Sequence, residues 1–397
     1  MVGLTNTKTV VKKCNVLVLS ILLLTVACSK DEIIIVVPEE PEVCLGQDPK
    51  VDYSRPSVFN SSHLFHNGYP VEQPWGWPMD IVVLDYDRDG LLDAITSNSD
   101  YTYSFNNPDQ FRRDLLFLKG DCDGNLSVDT EYNSEGWKGS VHARKGIIGD
   151  FNNDGFPDPV FIGHGTDNDQ ADINGEYPII LMSTDTGYEY KTYPNIQGFW
   201  HGGASGDLDN DGDLDILLPP STVMLNNGGE FSEGSLAFQV TDQAGAVEII
   251  DLDGDGTLEI IYGSSDFNPE NDSWVGNVNG KIATFPVPEN YGIVVDLDFI
   301  DINYDGRYEI IVNRAGDPSG QPGNYRGWYL QILEFNGSSL YDITSLVIEA
   351  NYNPNSEWIE WFNVSDLDND GELDLYSNTD YTNLRWELVD GFLYRRL

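Results

Sequence analysis

The sequence predicts an all-β chain, a β-propeller of six four-stranded blades, with seven blades as the alternative. An acidic, glycine-centred loop occurs six times along the chain, at intervals of 44 to 65 residues. Between the loops lie short apolar runs separated by Gly- and Asn-rich turns, about four runs per unit, which indicate strands. Repeats of about 50 residues that each hold several strands are typical of propellers.

The loop that begins at Asp207 is the clearest copy of the repeat. Carboxylates at its positions 1, 3 and 5 (Asp207, Asp209 and Asp211) converge only if the backbone turns sharply after them, and Gly212 allows that turn because it has no Cβ. The backbone carbonyl at position 7 and the carboxylate of Asp215 at position 9 would complete a cage of oxygen ligands. Because four carboxylates held this close repel one another, the loop predicts calcium as a cofactor.

The other five copies of the loop align on their glycines. Their predicted metal ligands are Asp85, Asp87, Asp89 and Asp93; Asp150, Asn152, Asp154 and Asp158; Asp251, Asp253, Asp255 and Glu259; Asp301, Asn303, Asp305 and Glu309; and Asp366, Asp368, Asp370 and Asp374. An EF-hand would need an acid at position 12, where none of the six loops has one. The two loops with asparagine have one carboxylate fewer and are expected to bind calcium most weakly.

This pattern resembles the FG-GAP/VCBS repeat of integrin-α-type β-propellers, over about residues 80–397. The resemblance implies that each loop joins the first and second strands of a blade. Strand-like runs after the sixth loop complete its unit, so the direct count is six blades in a propeller domain of residues 46–397. Residues 45–79 are not part of these six units. They would form either a cap over the propeller channel or part of a seventh blade that has no acidic loop.

Residues 1–27 are predicted to be a lipoprotein signal peptide. Three lysines precede an apolar run over 16–27 that is too short to span a membrane as a helix. The sequence from Leu24 to Cys28 resembles a lipobox, which implies that Cys28 carries the lipid. The alternative is an ordinary signal peptide with an incidental cysteine.

The residues after Cys28 predict the location of the protein. Lys30-Asp31-Glu32 resembles the export tag of surface lipoproteins in some Gram-negative bacteria, which implies an outer-membrane, lipid-anchored and surface-exposed protein. Residues 28–45 are rich in Pro and Glu towards their end and are predicted to be a flexible tether. In an oxidising compartment Cys44 and Cys122 would form either one disulfide or two free thiols.

The formal net charge of −45 argues against nucleic acid and against anionic membrane surfaces as partners, since both attract basic patches. Contact with the membrane is therefore expected only through the lipid. The chain also has no GxSxG, HExxH, P-loop or CxxC motif, and His63 and His66 fit a surface pair.

Aromatic side chains and histidines recur just before five of the six loops. In a propeller these positions lie near the connections between blades, on the face opposite the loops. The candidate ligand-binding residues at these positions are Trp75, Trp77, Trp137, Trp200, His201, Tyr291, Trp358 and Trp361. His142 also precedes the second loop. Either the rings pack between blades, or they form platforms for sugar or protein around the channel mouth, with at least two of Trp77, Trp200 and Trp358 exposed.

The predicted function is a calcium-binding cell-surface module for adhesion or for binding a glycan or protein ligand. The alternative is a polysaccharide lyase or hydrolase on the same scaffold, since propellers host both. An enzyme predicts a tight cluster of His, Arg, Tyr or paired carboxylates in one pocket of the aromatic face. A binding module predicts aromatic platforms that are spread out.

Overall fold

The structure, a computed structural model, describes residues 77–99, 112–122, 124–165, 175–236, 244–265, 273–316, 325–359, 362–365, 373–379 and 382–396. These residues form six antiparallel sheets, five of four consecutive strands and one of four consecutive strands with a short fifth strand added. The fold is a β-propeller of six blades, as the sequence predicts. The predicted signal peptide, the tether, Cys28 and Cys44 lie outside the described residues, and Cys122 is disulfide-bonded.

The first three blades hold twelve strands. Blade 1 consists of β1 (Trp77–Leu84), β2 (Asp93–Ser99), β3 (Leu116–Gly120) and β4 (Leu126–Val128). Blade 2 consists of β5 (Ala143–Gly149), β6 (Asp158–Gly163), β7 (Ile179–Thr184) and β8 (Gly187–Thr192). Blade 3 consists of β9 (Ala204–Gly206), β10 (Asp215–Leu218), β11 (Thr222–Asn227) and β12 (Glu230–Ser235).

The last three blades hold thirteen strands, because blade 5 gains an additional one. Blade 4 consists of β13 (Ala244–Ile250), β14 (Glu259–Ser264), β15 (Trp274–Asn277) and β16 (Gly280–Thr284). Blade 5 consists of β17 (Ile293–Ile300), β18 (Glu309–Gly316), β19 (Arg326–Phe335), β20 (Leu340–Asp342) and the short β21 (Tyr352–Asn353), which pairs with β19. Blade 6 consists of β22 (Asn363–Ser365), β23 (Asp374–Thr379), β24 (Thr382–Val389) and β25 (Phe392–Arg396).

Helix is almost absent from the described part of the chain. One α-helical turn, α1 (Thr344–Val347), and one 3-10 turn (Tyr132–Glu135) are its helical elements. No helix among the described residues is long and apolar enough to cross a membrane.

The core lies between neighbouring blades. Ile180 of blade 2 and Ile216 of blade 3 belong to one buried cluster, and Leu333 of blade 5 belongs to a cluster with Ile261 of blade 4. Each middle strand is therefore covered on both faces, which is why β6, β10 and β14 are buried along their whole length. A strand covered on both faces is a continuous apolar run rather than an alternating one.

Charged side chains on the inner strands form a largely buried cluster. The first strands of consecutive blades contact one another, from β1 through β5, β9, β13 and β17 to β22. Lys145 of β5 reaches past blade 3 to Glu248 of β13, with Nζ 2.6 Å from Oε1. The intervening strand β9 contributes only Ala, Ser and Gly, so it leaves room for this ion pair.

Two more carboxylates, Asp296 and Asp298 of β17, join the pair and are buried. Burial raises the pKa of Glu248 to about 7, although attraction to the Lys145 ammonium group acts in the opposite direction. Burial, and then repulsion from Asp296, raise the pKa of Asp298 well above its usual value. Asp298 Oδ2 has no hydrogen-bond partner among the described residues. Three acids therefore share one lysine in this inner cluster.

Replacing Asp298 by Asn is expected to stabilise the protein at pH 8 by more than about 1 kcal/mol, which is close to the equivalent of one pKa unit. An acid with a higher pKa in the folded state destabilises that state as the pH rises from the unfolded pKa through the folded one. The amide does not ionise, so the gain should be much smaller at pH 4.5. Urea unfolding at both pH values measures it.

The exposed Asp185, in the turn between β7 and β8, is the control for this substitution. Asp185→Asn should change the free energy of unfolding by less than about 0.5 kcal/mol at either pH. An Asp298→Asn effect of equal size at both pH values would contradict the electrostatic account.

Candidate functional site

Each described acidic loop joins the first and second strands of its blade, as the family resemblance implies. The loops of blades 1 to 5 are described in full. In the sixth loop, Asp366, Asp368 and Asp370 lie outside the described residues, whereas Asp374 begins β23 and is 2% exposed. All the described loops thus lie at one face of the propeller.

The five loops share one backbone conformation. The position-6 glycines have φ values from 85° to 99°, and the position-4 residues have φ values from 57° to 74°. In the loop of Asp207, the amides of Asp211 and Gly212 donate to the two carboxylate oxygens of Asp207, each at 3.1 Å. The same pair of bonds recurs in the other four loops. The predicted turn at the glycine is confirmed.

The acid at position 9 connects the loop to the rest of the blade. Asp215 is fully buried and accepts hydrogen bonds from Leu208 N (2.9 Å) in the loop and from Asn226 N (2.8 Å) in the third strand. Burial raises the pKa of Asp215 to about 6. Burial likewise raises the pKa of Asp93 and of Glu259 to about 7. A cation in the loop would offset this desolvation.

Three loops bring carboxylate oxygens close enough to hold one metal ion. In each set one oxygen per residue lies within 4.8 Å of the others: Asp85, Asp87 and Asp93; Asp207, Asp209 and Asp215; and Asp251, Asp253 and Asp255. The donors are all carboxylate oxygens, the ligands that hard divalent cations prefer. The residues present therefore fit a hard cation.

Side chains from outside the carboxylate sets distinguish the loops. Lys119 Nζ contacts Asp87 and lies 2.9 Å from Asp89 Oδ2, so an ammonium group competes for the first loop. In the second loop the Ser183 hydroxyl lies 2.9 Å from both oxygens of Asp154. In the fifth, Arg307 Nη2 lies 2.6 Å from Asp305 Oδ2. Among the described residues, the third and fourth loops have no such ion pair.

The opposite face carries the aromatic candidates, and they differ in exposure. Trp200 is 3% exposed and packs in the cluster between blades 2 and 3, as the interblade-packing alternative expects for this ring, so exposure of two of the three tryptophans would require both Trp77 and Trp358. Trp137 is half-buried and stacks on Tyr190 at 6.3 Å. Trp358 is half-buried against Tyr325. Trp75, Trp361 and the side chain of Trp77 lie outside what is described.

Three histidines meet on this face. The rings of His142 and His164 are 4.2 Å apart, and those of His164 and His201 are 4.9 Å apart, between centroids. The exposed Phe199 stacks on His164 at 4.4 Å. His142 and His201 precede first strands, and His164 follows β6. Sequence reasoning missed His164, because only the pairing of β5 with β6 brings it beside His142.

The carboxylate of Glu176 holds the histidine cluster in place. It is buried, accepts hydrogen bonds from Val141 N (2.8 Å) and Gly165 N (3.2 Å), and pairs with Arg112 Nη2 at 2.8 Å. Burial, and then the Arg144 cation, lower the pKa of His142 to about 3. Burial and His142 lower the pKa of His164 to about 2. Both imidazoles are therefore neutral at pH 7.

Access to the histidine cluster from the propeller centre is narrow. The adjoining crevice, lined by Arg144, Lys145 and His201 among others, has a volume of about 20 Å³. A cavity needs about 10–15 Å³ to hold one water molecule. The crevice therefore has room for a water molecule but not for a sugar ring.

The fold and its loops define the class of protein: a six-bladed β-propeller with an acidic loop between the first two strands of each described blade. No protein-family model and no curated protein matches the chain. Solved structures similar to it include the V. cholerae biofilm matrix protein Bap1, with 19% identity, a TM-score of 0.43 and coverage of 74% of this chain and 42% of that chain.

Another similar structure is the rhamnogalacturonan lyase YesW, with 14% identity and a TM-score of 0.40. The match covers 82% of this chain and 60% of that chain, so this chain spans less than two thirds of either structure. At these identities the likeness concerns the fold alone.

Replacing Trp200 by Ala is expected to lower the free energy of unfolding by about 3–5 kcal/mol, because it empties a packed site between two blades. Its neighbour Phe199, 45% exposed, is the matched control. Phe199→Ala should cost less than about 1.5 kcal/mol, which is the upper value for the loss of its ring contact with His164. Denaturant unfolding of both variants measures the difference, and similar losses would mean that Trp200 is not an interblade packing residue.

Proposed function

We propose that this protein is a calcium-stabilised β-propeller that binds a glycan or protein ligand at the bacterial cell surface, as an adhesion or ligand-binding module. The observation that carries the proposal is the common backbone conformation of five loops, three of which bring carboxylate oxygens within 4.8 Å of one another. Calcium would screen the repulsion among the carboxylates and hold the buried position-9 acid in place. In blade 3 this acid accepts a hydrogen bond from the third strand, so calcium would also stabilise that strand.

The proposed ligand face is the one opposite the loops. The strongly negative composition makes nucleic acid an unsuitable partner, as it does an anionic membrane surface. The proposed attachment to the outer membrane is the lipid on Cys28, with the propeller displayed outside the cell. A protein anchored in this way meets external glycans and proteins first.

A second candidate function is a polysaccharide lyase or hydrolase. The observation that favours it is the cluster of His142, His164 and His201 near Arg144, since such clusters with lowered pKa values are common at active sites. The narrow crevice beside the cluster counts against a polymeric substrate. Release of shortened saccharides from a polysaccharide would favour the enzyme, whereas a binding module would leave the polymer intact.

Removal of calcium is expected to destabilise the protein. If the dissociation constants are about 0.1–1 mM, as in extracellular modules, each site adds about 1.4 kcal/mol at a tenfold excess of calcium. The melting temperature of chelator-treated protein should therefore rise as calcium is added. A melting temperature that does not respond to calcium would contradict the proposal.

Asp209→Asn is the sharpest test of a single site. Asp209 is a proposed ligand, and the amide keeps the acceptor for Asp211 N. Glu233→Gln removes the same charge from an exposed position on β12 of the same blade, outside the loop, so it is the matched control. Calorimetric titration should show at least tenfold weaker binding at one site for Asp209→Asn. The control should bind calcium as the parent does.

The proposed anchoring is tested by cell fractionation. Cys28→Ser should release the protein from the membrane fraction. Alanine substitution of Lys30, Asp31 and Glu32 should leave it anchored but shielded from added protease, while substitution of the three tether glutamates at 39, 40 and 42 should leave it accessible. Continued protease sensitivity after loss of the Lys-Asp-Glu cluster would refute the export role.

A further inference from the structure

A pocket lined by tyrosines lies where blade 4 leads into blade 5. Its volume is about 400 Å³, within the range of about 300–1,000 Å³ typical of small-molecule sites. We propose that this pocket binds a neutral saccharide unit of a glycan. The inference rests on the proposed function and names the site and the ligand class.

Three tyrosines form a continuous row along the pocket. The ring centroids of Tyr291 and Tyr329 are 5.2 Å apart, and those of Tyr329 and Tyr352 are 6.3 Å apart. The rings are tilted by 34° and 32°, so the row curves gently. Tyr352 is 58% exposed, and Val287 on the pocket wall is 38% exposed. An apolar face with polar hydroxyl groups suits a sugar, which has C–H faces and hydroxyl edges.

Blade 5 has an additional strand that supplies the outer tyrosine. Strand β21 pairs with the N-terminal part of β19, so Tyr352 lies opposite Tyr329. Leu330 N donates to Asn351 O at 2.8 Å, and Asn351 Nδ2 donates back to Leu330 O at 2.9 Å. Among the described blades, only blade 5 has a fifth strand. This elaboration therefore builds one wall of the pocket.

A buried polar network fixes the other wall. Gln331 Nε2 donates to Pro286 O (2.8 Å) and to Asp342 Oδ2 (2.9 Å), while Gln331 Oε1 accepts from Arg314 Nε (2.7 Å). Arg314 is fully buried and its Nη1 donates to Tyr291 O at 3.3 Å. The segment before β17 is thus tied to the strands of blade 5. A pocket held this way loses little conformational entropy when a ligand binds.

The charges around the pocket limit the ligand class. The charged lining residues are Glu289 and Asp342, both acids, so uronates, sulfated sugars and phosphates are repelled. Asp342 already accepts hydrogen bonds from Gln331 and from the amide and hydroxyl of Thr344. Glu289 is exposed to solvent. An ion pair between this carboxylate and a cationic ligand would therefore contribute little to binding. The pocket therefore favours a neutral ligand over a cation.

A proline-rich peptide is the other ligand that aromatic grooves bind. Such a peptide offers mainly carbonyl acceptors, because proline has no N–H. The exposed carboxylate of Glu289 on the pocket lining is an acceptor and needs a donor from the ligand. Sugar hydroxyls donate hydrogen bonds, so the chemistry of the pocket favours a saccharide.

Binding to immobilised neutral gluco-, manno-, galacto- and xylo-oligosaccharides in the presence of calcium tests the inference. Tyr352→Ala should weaken binding at least tenfold while its melting temperature stays within a few degrees of the parent, because Tyr352 is a surface residue. Tyr341→Ala is the matched control, since Tyr341 is 51% exposed in the same blade but outside the pocket. It should bind as the parent does.

Three other outcomes would contradict the proposal, and each would contradict a different part of it. Neutral-sugar binding that Tyr352→Ala leaves unchanged would refute the pocket but keep the glycan-binding module. Binding of poly-L-proline or polygalacturonate in place of neutral sugars would replace the ligand class. Failure to bind any neutral oligosaccharide would refute the inference, whereas the proposed function would still be judged by its response to calcium.

Discussion

The burial of one carboxylate in each blade is the constraint on which the rest of the structure depends. In blades 1 to 3 the aspartate at position 9 gives up hydration, and two backbone amides, one in the loop and one in the third strand, offset that cost. In blades 4 and 5 a loop amide donates to the glutamate at this position. The same contact fixes the loop relative to the blade. In the loops of blades 1, 3 and 4, carboxylate oxygens lie close enough together for a hard cation to complete their coordination.

This arrangement separates the two faces of the propeller. The described acidic loops lie at one face, and the opposite face carries aromatic rings and histidines. The inner cluster of Lys145, Glu248, Asp296 and Asp298 is largely buried on the first strands of blades 2, 4 and 5. The tyrosine pocket lies at the seam between blades 4 and 5.

Blade 5 shows how the repeat acquires a specific surface. Its longest strand, β19, extends beyond the pairing with β20 and provides an edge for β21. The network of Arg314, Gln331 and Asp342 then fastens the neighbouring connection to the same blade. This network supports the three tyrosines, and a concave site is left between blades 4 and 5. Between blades 2 and 3, the side chain of Trp200 fills the space.

The sequence by itself determined the all-β repeat, the acidic loops and the turn at each described glycine, and the family resemblance implied the place of the loops between first and second strands. These features depend on hydrogen bonds and dihedral angles within nine residues, so the local sequence is sufficient. Only the tertiary structure decided which aromatic residues are exposed, as Trp200 is buried and Tyr352 is not. Only the tertiary structure brought His164 to His142 and His201, and Tyr329 and Tyr352 to Tyr291. Those contacts join residues far apart in the chain, and exposure depends on what the neighbouring strand or blade places against each ring.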